Sequence, residues 1–186
     1  MQLDTPSQFS KTTLSLHWIV GVTIICLLAV GVYMAENDAY ALYPWHKSFG
    51  VIIFFVVLAR VAWRIKNGWP VPVSQYQTWE IILAKIVHYA LILGTLLMPI
   101  SGFLMSSLGG SGVDVFGIEL VARNIDPDNP LKTLPHNKPI AHFAHEAHEV
   151  IGNLLIAAIV LHIAGALKHH VIDKDGTLRR IMGAKV

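Results

Sequence analysis

Charged residues are scarce in this chain, which rules out an ordinary soluble domain. Lys, Arg, Asp and Glu make up 14% of its 186 residues, whereas soluble domains contain about 25%. None of them occurs in residues 12–35, 86–113 or 150–167. Each stretch reaches the roughly 20 residues that a helix needs to cross a bilayer. With 54% hydrophobic residues and a mean hydropathy of +0.54, the chain is predicted to be a membrane protein.

Cysteine is nearly absent as well, since Cys26 is the only one. A single cysteine excludes a disulfide within the chain and the Cys-x-x-Cys-His motif of thioether-linked haem, and it argues against a metal site with cysteine ligands. Internal repeats and low-complexity tracts are also lacking, so we expect one domain over residues 1–186. The first apolar segment is too long for a cleavable signal peptide, and we expect it to be retained.

The apolar segments predict an all-α membrane protein built as a bundle of four transmembrane helices. The second segment is the weakest by hydropathy because Arg60 interrupts it. The stretch at about 108–140, rich in Gly, Pro, Asp and Asn, is too long for a simple turn, so we expect it to fold over one end of the bundle. The predicted helices cover about residues 12–35, 46–65, 82–107 and 139–171.

If the four helices cross the membrane in alternating directions, most of the basic residues fall on one side. Because Lys and Arg concentrate on the cytoplasmic side of membrane proteins, the N-terminus and the C-terminus are both expected in the cytoplasm. The basic tail is then a topogenic and lipid-facing feature, and no nucleic-acid partner is expected. The basic residues of this side are Lys11, Arg64, Lys66, Lys85, Lys168, Lys174, Arg179, Arg180 and Lys185, and those of the other side are Lys47, Arg123, Lys132 and Lys138.

Four histidines in or beside the apolar segments are the most informative residues. His148 and His162 lie 14 residues apart on the fourth segment, so both imidazoles leave the same helix face roughly 21 Å apart. His17 lies in the first segment and His46 at the start of the second. Alternating topology places His17 beside His162 at the end of the bundle that holds both termini, called the inner end below. It places His46 beside His148 at the opposite, outer end.

A small residue stands one helical turn after each of these histidines. A residue at i+4 shares a face with the histidine, so it must be small if a flat macrocycle is to lie against the helix. A single such histidine would more often be a buried polar residue satisfied by a neighbour. Four with one pattern predict two bis-histidine haem sites for electron transfer, because paired imidazoles leave no axial position for dioxygen. The small residues are Gly21, Gly50, Gly152 and the pair Gly165-Ala166.

Several motifs make the chain resemble the bacterial cytochrome b561 family of di-haem inner-membrane proteins. They are LHW at 16–18, WHKSFG at 45–50 and the spacing from His148 to His162, together with a tail, HHVIDKDGTLRR at 169–180, that is similar to the C-terminal signature of the family. The resemblance covers nearly the whole chain. It implies a four-helix bundle in the bacterial inner membrane, two haem b groups whose iron the four histidines bind, and a quinone on the cytoplasmic side.

A His-Glu pair marks the start of the fourth helix in that family, and here it occurs twice, at 145–146 and 148–149. His145 lies 17 residues from His162, which turns it about 100° away from the shared face. Its i+4 residue is a glutamate rather than a glycine. His148 is therefore assigned as the iron ligand.

Arg60 is a charge within the second predicted helix, 14 residues after His46 and on the same face. A charge at that depth needs an anionic partner, and a haem propionate would serve. Snorkelling to the inner headgroups is an equally good explanation.

The quinone site is expected where basic residues follow the last apolar segment. His169 comes seven residues after His162, two turns further on nearly the same face. Lys168 is a second candidate, although a basic helix end facing phospholipid would explain it as well. His88, near the inner end of the third helix, is more suited to a hydrogen bond with a propionate, a quinone or water than to iron.

These residues predict an electron carrier between a donor on the periplasmic side and ubiquinone in the membrane. The resembled family includes members that oxidise superoxide while reducing ubiquinone, so superoxide is a candidate donor. The outer end carries eight acidic residues against four basic ones, which argues against an anionic donor unless the basic residues cluster. A redox protein is the other candidate donor.

Two alternatives remain from the residues alone. The chain could serve as the cytochrome subunit of a separate dehydrogenase. It could instead be a histidine-box metalloenzyme, although such enzymes collect their histidines on one side of the bilayer. A divalent metal site formed by His142, His145 and His148 is a related possibility, for which solvated histidines at a helix entry are the preferred explanation.

Overall fold

Long helices dominate the computed structural model, which describes residues 3–186. Among those residues, four helices are long and apolar enough to cross a membrane. The four-helix membrane fold expected from the sequence is therefore confirmed. The helices are α1 (Lys11–Asn37), α2 (Tyr43–Asn67), α3 (Thr78–Leu108) and α4 (Lys138–Val171).

Side-chain caps set where these helices begin. The Ser10 hydroxyl accepts a hydrogen bond from the backbone N–H of Thr13 at the start of α1. Gln77 and Glu80 form a capping box at the start of α3, which satisfies two backbone donors at once. Helix α3 consequently begins at Thr78, earlier than the expected start near residue 82. Pro44 lies in the first turn of α2, where its missing N–H costs no hydrogen bond.

The helices bury little of their apolar surface against one another. A small core of aliphatic side chains joins α1, α2 and α4, with Val20, Val57 and Leu155 each 1% exposed. Many other apolar side chains point outward, such as Leu154 at 63% exposure. A surface of this kind is unfavourable in water and suited to lipid, whose chains are as apolar as the side chains.

Close approach is greatest between α3 and α4 and depends on Gly94. A Cβ at that position would lie 2.6 Å from Cδ2 of Leu155. Because no side chain separates the two helices there, Leu155 of α4 packs onto the backbone of α3. This contact holds the helix that carries His148 and His162.

The outer stretch at 108–140 folds into two small antiparallel hairpins. The first consists of β1 (Val113–Val115) and β2 (Ile118–Val121), and the second of β3 (Ile125–Asp126) and β4 (Asn129–Thr133). Ser48 of α2 anchors the first hairpin, since its hydroxyl oxygen accepts a hydrogen bond from the backbone N–H of Phe116, in the turn between the two strands, at 3.1 Å.

The described residues near the two ends of the chain lie together at the inner end. The backbone N–H of Val186 donates to the carbonyl of Ser7 at 2.9 Å. A short helix, α5 (Thr177–Ile181), brings the buried Arg180 under the bundle. Its guanidinium donates to the carbonyls of Pro6 and Val71. The N-terminal segment, the loop between α2 and α3, and the tail therefore form one cap, called the inner cap below.

Candidate functional site

His17 and His162 come together at the inner end of the bundle. Their ring centroids are 6.2 Å apart, and the two side chains project from α1 and α4. His88 of α3 joins them, with its ring centroid 5.3 Å from that of His162. Three helices thus converge on one group of imidazoles.

His46 and His148 form the equivalent pair at the outer end, projecting from α2 and α4. Their ring centroids are 6.5 Å apart. Nδ1 of His148 lies 3.0 Å from the carbonyl oxygen of Met98 and 3.1 Å from the hydroxyl of Ser101. A histidine whose Nδ1 is held by a backbone carbonyl presents Nε2 outward, which is the usual arrangement of a metal-binding imidazole.

Both pairs fit coordination of one iron by two imidazoles. A histidine nitrogen binds a metal ion at about 2 Å and the ring centre lies about 1 Å further, so two opposed imidazoles have centres roughly 6 Å apart. The separations of 6.2 and 6.5 Å agree with that value. The four histidines are thus gathered in the two predicted pairs, and their role as iron ligands stays a prediction.

Glycines clear the space beside these rings. A Cβ at Gly21, Gly50 or Gly165 would meet no atom within 4 Å. Gly50 also lines a cavity that His46 and His148 share. These three positions fit a flat group lying against the helices. Gly152 differs, because its Cβ would lie 3.3 Å from Cε of Met98.

Two further glycines, Gly31 and Gly102, were not singled out from the sequence. A Cβ at Gly31 would lie 3.4 Å from Cε1 of His46, and one at Gly102 would lie 2.9 Å from Cε1 of His148. Each glycine therefore lets an imidazole of one helix rest on the backbone of another. Sequence spacing within one helix carries no signal for such contacts.

His46 has a polar atom that the protein does not satisfy. Its Nδ1 is buried and, among residues 3–186, has no hydrogen-bond partner. Leaving a buried nitrogen unpaired costs about 1–3 kcal/mol. A histidine with a buried, unpaired ring nitrogen fits a site that binds a group from outside the polypeptide.

Arg60 lies on α2 near the inner histidines. Its guanidinium is close enough to interact electrostatically with His17, His88 and His162. The ion pairs formed within the described residues 3–186 do not include it. A half-buried guanidinium beside three imidazoles suits an anionic partner such as a propionate.

Two of the candidate quinone residues, Lys168 and His169, form a network with the loop that follows α4, whereas His88 lies with the inner histidines. Lys168 forms ion pairs with Glu80 of α3 and with Asp173 of the following loop. Nδ1 of His169 lies 2.7 Å from Oδ2 of Asp173. Tyr76 packs against the His169 ring at 4.6 Å between centroids.

Two carboxylates in this network are held ionised by their hydrogen bonds. The Lys168 ammonium lowers the pKa of Asp173 below its usual value. Burial by itself would raise the pKa of Asp175, but hydrogen bonds from the Tyr76 hydroxyl and the Thr177 backbone lower it overall. Burial, and then the hydrogen bond to Asp175, raise the pKa of Tyr76. The network thus presents two carboxylates and a neutral phenol beside His169.

His142 and His145 lie away from the paired histidines, on the outer surface. Their side chains are 74% and 60% exposed, and each Nδ1 lies 3.9 Å from Oε1 of Glu146. His148, in contrast, points inward to the carbonyl of Met98. The three histidines are therefore not gathered around one point, which favours the solvated interpretation.

Two basic residues meet near the outer histidine pair. The Lys47 ammonium donates to the carbonyl of Gly112 at 3.0 Å. Arg123 packs against the same glycine, where a Cβ would lie 2.8 Å from Cγ of Arg123. Lys47 and Arg123 are therefore close enough to interact, near His46, and the Asp114 carboxylate also lies near Lys47.

Sequence comparisons show which proteins this chain is similar to. A sequence model of the family described as prokaryotic cytochrome b561 matches residues 8–184. Cytochrome b561 homolog 2 of Escherichia coli (strain K12) is 30% identical over 97% of this chain and 94% of its own length. Cytochrome b561 homolog 1 of the same organism is 29% identical over 95% and 97%. The probable superoxide oxidase CybB of Yersinia pestis is 24% identical over 96% and 97%.

Proposed function

The chain belongs to the prokaryotic cytochrome b561 family, and we propose that it binds two haem b groups and passes electrons from a donor at the outer end to ubiquinone at the inner end. Membership of this family makes it a membrane cytochrome b with an electron-transfer role. The observation that carries the proposal is the pairing of histidines at the two ends, at 6.2 and 6.5 Å. Placed about 21 Å apart along α4, the two sites would span most of the membrane.

In this proposal His17 and His162 hold the inner haem, and His46 and His148 hold the outer one. Haem b, when bound, supplies an iron that gains and loses one electron and, with two histidine ligands, has no position for dioxygen. The polypeptide orients the ligands through the Met98 carbonyl at His148 and clears the faces with glycines. Arg60 would neutralise a propionate.

Haem content tests this arrangement directly. A pyridine haemochrome assay should give two haem b groups per purified chain. His162→Ala should lose chiefly the inner haem and His46→Ala the outer one, because each site keeps only one ligand. A content of one haem, or a variant that keeps both, would contradict the paired sites.

Quinone reduction is proposed at the inner end with His169 as the polar contact. His169 lies about 10 Å beyond His162 on the same helix, at the level where a quinone can enter from lipid. Its imidazole can donate a hydrogen bond or a proton to a carbonyl oxygen. The charge of Lys168 is shared with Glu80 and Asp173, so Lys168 contributes at longer range.

Substitution of His169 separates quinone reduction from haem binding. His169→Ala should leave both haems bound with near-normal spectra and should slow electron transfer to ubiquinone by about a hundredfold. His170→Ala, one residue further along the basic helix end, is the matched control. If His169→Ala reduced ubiquinone at the wild-type rate, the quinone site would have to lie elsewhere, and His88 would be the next candidate.

Superoxide is the donor that the outer end favours. Lys47 and Arg123 lie close together near His46, and two neighbouring cations attract a small anion. Oxidation of two superoxide anions to dioxygen releases two electrons, which with two protons reduce one ubiquinone to ubiquinol. The similarity to a probable superoxide oxidase points the same way.

A partner dehydrogenase is the alternative donor, and one experiment distinguishes the two. Enzymatically generated superoxide should reduce the haem of the isolated wild-type protein, which the b-type spectrum reports. The double substitution Lys47→Met and Arg123→Met should slow that reduction. Reduction only after addition of a copurifying protein would instead indicate a cytochrome subunit. The histidine-box alternative predicts no Soret absorption at all.

The proposal also assigns the orientation in the membrane. The chain would form a single domain of the bacterial inner membrane, with both termini in the cytoplasm and the hairpins at 113–133 in the periplasm. Support comes from the excess of Lys and Arg at the inner end. The donor then reacts on the periplasmic side and the quinone on the cytoplasmic side.

A further inference from the structure

The loop after α4 turns back so that an acidic residue meets His169. Helix α4 ends at Val171, yet Oδ2 of Asp173 lies 2.7 Å from Nδ1 of His169. We propose that Asp173 is a positioning residue for quinone reduction, which fixes the tautomer of His169 so that Nε2 faces the quinone and delivers its proton. This inference rests on the proposed reduction of ubiquinone at the inner end.

Backbone hydrogen bonds hold this loop in place. The N–H of Asp173 donates to the carbonyl of Lys168 at 3.2 Å, and the N–H of Asp175 donates to the carbonyl of His169 at 3.1 Å. Both carboxylates consequently return toward the imidazole, with Oδ2 of Asp175 at 3.7 Å from Nδ1. The contact is therefore built by the backbone rather than by a freely moving side chain.

The ring of His169 is restrained on one edge and one face. Within residues 3–186, its polar contacts all use Nδ1. The Tyr76 ring packs against its face at 4.6 Å, and the Tyr76 hydroxyl is itself held by Asp175 at 2.6 Å. Nε2, on the opposite edge of the imidazole, is the nitrogen available to a substrate.

Ionisation of Asp173 decides which nitrogen carries the proton. The Lys168 ammonium donates to Oδ2 of Asp173 at 2.8 Å, and this hydrogen bond keeps the pKa of the carboxyl below its usual range. A carboxylate can only accept, so the partner atom Nδ1 of His169 must be the donor. Nε2 then accepts when the ring is neutral and donates when it is protonated.

This arrangement suits repeated proton delivery. One ubiquinone takes up two electrons, which the electron-transfer activity supplies, and two protons. Protonated His169 gives its Nε2 proton to a carbonyl oxygen and returns to the Nδ1–H tautomer, and water at the inner end then protonates Nε2 again. The titratable and charged groups around His169 are Asp173, Asp175 and Tyr76, with Lys168, Glu80 and Arg180 behind them.

Asp173→Asn tests the inference in the haem-loaded, full-length protein. The amide keeps the size of the carboxyl but can donate to Nδ1, which favours the wrong tautomer, as in catalytic triads. We expect kcat for ubiquinone reduction to fall about tenfold or more, with KM nearly unchanged. Asp173→Glu should restore much of the rate. Asp128→Asn, an exposed acidic position at the outer end, is the matched control.

A second measurement does not depend on turnover. In reduced protein carrying ¹⁵N-labelled histidine, the ring signals that disappear in His169→Asn identify His169. In the wild type they should report Nδ1–H, and in Asp173→Asn they should report a mixture with Nε2–H. Haem content and unfolding temperature show whether the variant is folded.

The outcomes separate the two proposals. If His169→Ala loses activity while Asp173→Asn matches the Asp128→Asn control and keeps the Nδ1–H signal, the role of Asp173 is wrong and the quinone site stands. If His169→Ala retains full activity, the quinone site is wrong, and the inference falls with it. A lower kcat together with a changed tautomer supports both.

Discussion

At the scale of single residues, the glycines beside the paired histidines are positions where a substitution should affect the protein with bound haem very differently from the protein without haem. Gly50 and Gly165 lie in helices, with no atom within 4 Å of where a Cβ would be. By itself the polypeptide would accept a side chain at both positions. Replacing a helical glycine even stabilises the helix by about 1 kcal/mol. A macrocycle bound against the helix would not tolerate the substitution.

We therefore predict opposite effects on the helix and on haem binding. Gly50→Leu should fold and insert normally but lose the outer haem, and Gly165→Leu should lose the inner one, because leucine would occupy the space of the macrocycle. Haem content and the b-type spectrum measure the loss, and each variant is the control for the other. Retention of both haems in the two variants would show that the open spaces face only lipid.

At the scale of elements, Arg180 connects the parts of the inner cap. It is 5% exposed, donates to the carbonyls of Pro6 and Val71, and stacks over the ring of Phe9 at 4.4 Å. The short helix α5 is too small to be stable by itself. Its position depends on contacts to other elements, which Arg180 makes together with the hydrogen bonds from the Trp18 indole to the carbonyl of Ile181 and from the N–H of Val186 to the carbonyl of Ser7.

Loss of Arg180 should destabilise the inner cap without affecting the two histidine pairs. Arg180→Met should lower the stability by about 2 kcal/mol, because two hydrogen bonds from a charged group are lost. For a chain of this size that corresponds to a fall in Tm of roughly 4–8 °C. Circular dichroism in detergent and proteolysis of the tail measure the effect. Arg179→Met, at an exposed position, should change neither, and equal Tm values for both variants would contradict the assigned role.

At the scale of the whole molecule, the described residues near the two termini lie at one end, where the N–H of Val186 donates to the carbonyl of Ser7. An even number of membrane crossings has this consequence. The proposed side of the membrane rests on charge, since nine of the Lys and Arg residues belong to the inner end in the predicted topology and four to the outer end. Moving the basic end across the membrane would oppose the usual distribution.

Reporter fusions test that orientation. Green fluorescent protein at the C-terminus should fluoresce, and alkaline phosphatase at the same place should be inactive, because both termini are predicted in the cytoplasm. Insertion of either reporter in the turn at residues 127–128 should give the reverse result. Active phosphatase at the C-terminus would invert the electron path, placing the donor inside the cell.

The sequence by itself determined the features that depend on one helix at a time. The length of each apolar run predicts a membrane span, and helix geometry places His148 and His162 on one face. Alternating topology then pairs them with His46 and His17 without any knowledge of packing, and the structure shows those neighbours. Such predictions succeed because a helix has a regular, local geometry.

Only the tertiary structure decided the features that join distant parts of the chain. Gly31 and Gly102 accept imidazoles from other helices, and Arg180 reaches carbonyls more than a hundred residues away. The return of Asp173 to His169 depends on an irregular loop after α4. The first hairpin, at 113–121, attaches to α2 through Ser48. These contacts arise from packing between elements, and no periodicity along the sequence encodes which surfaces will meet.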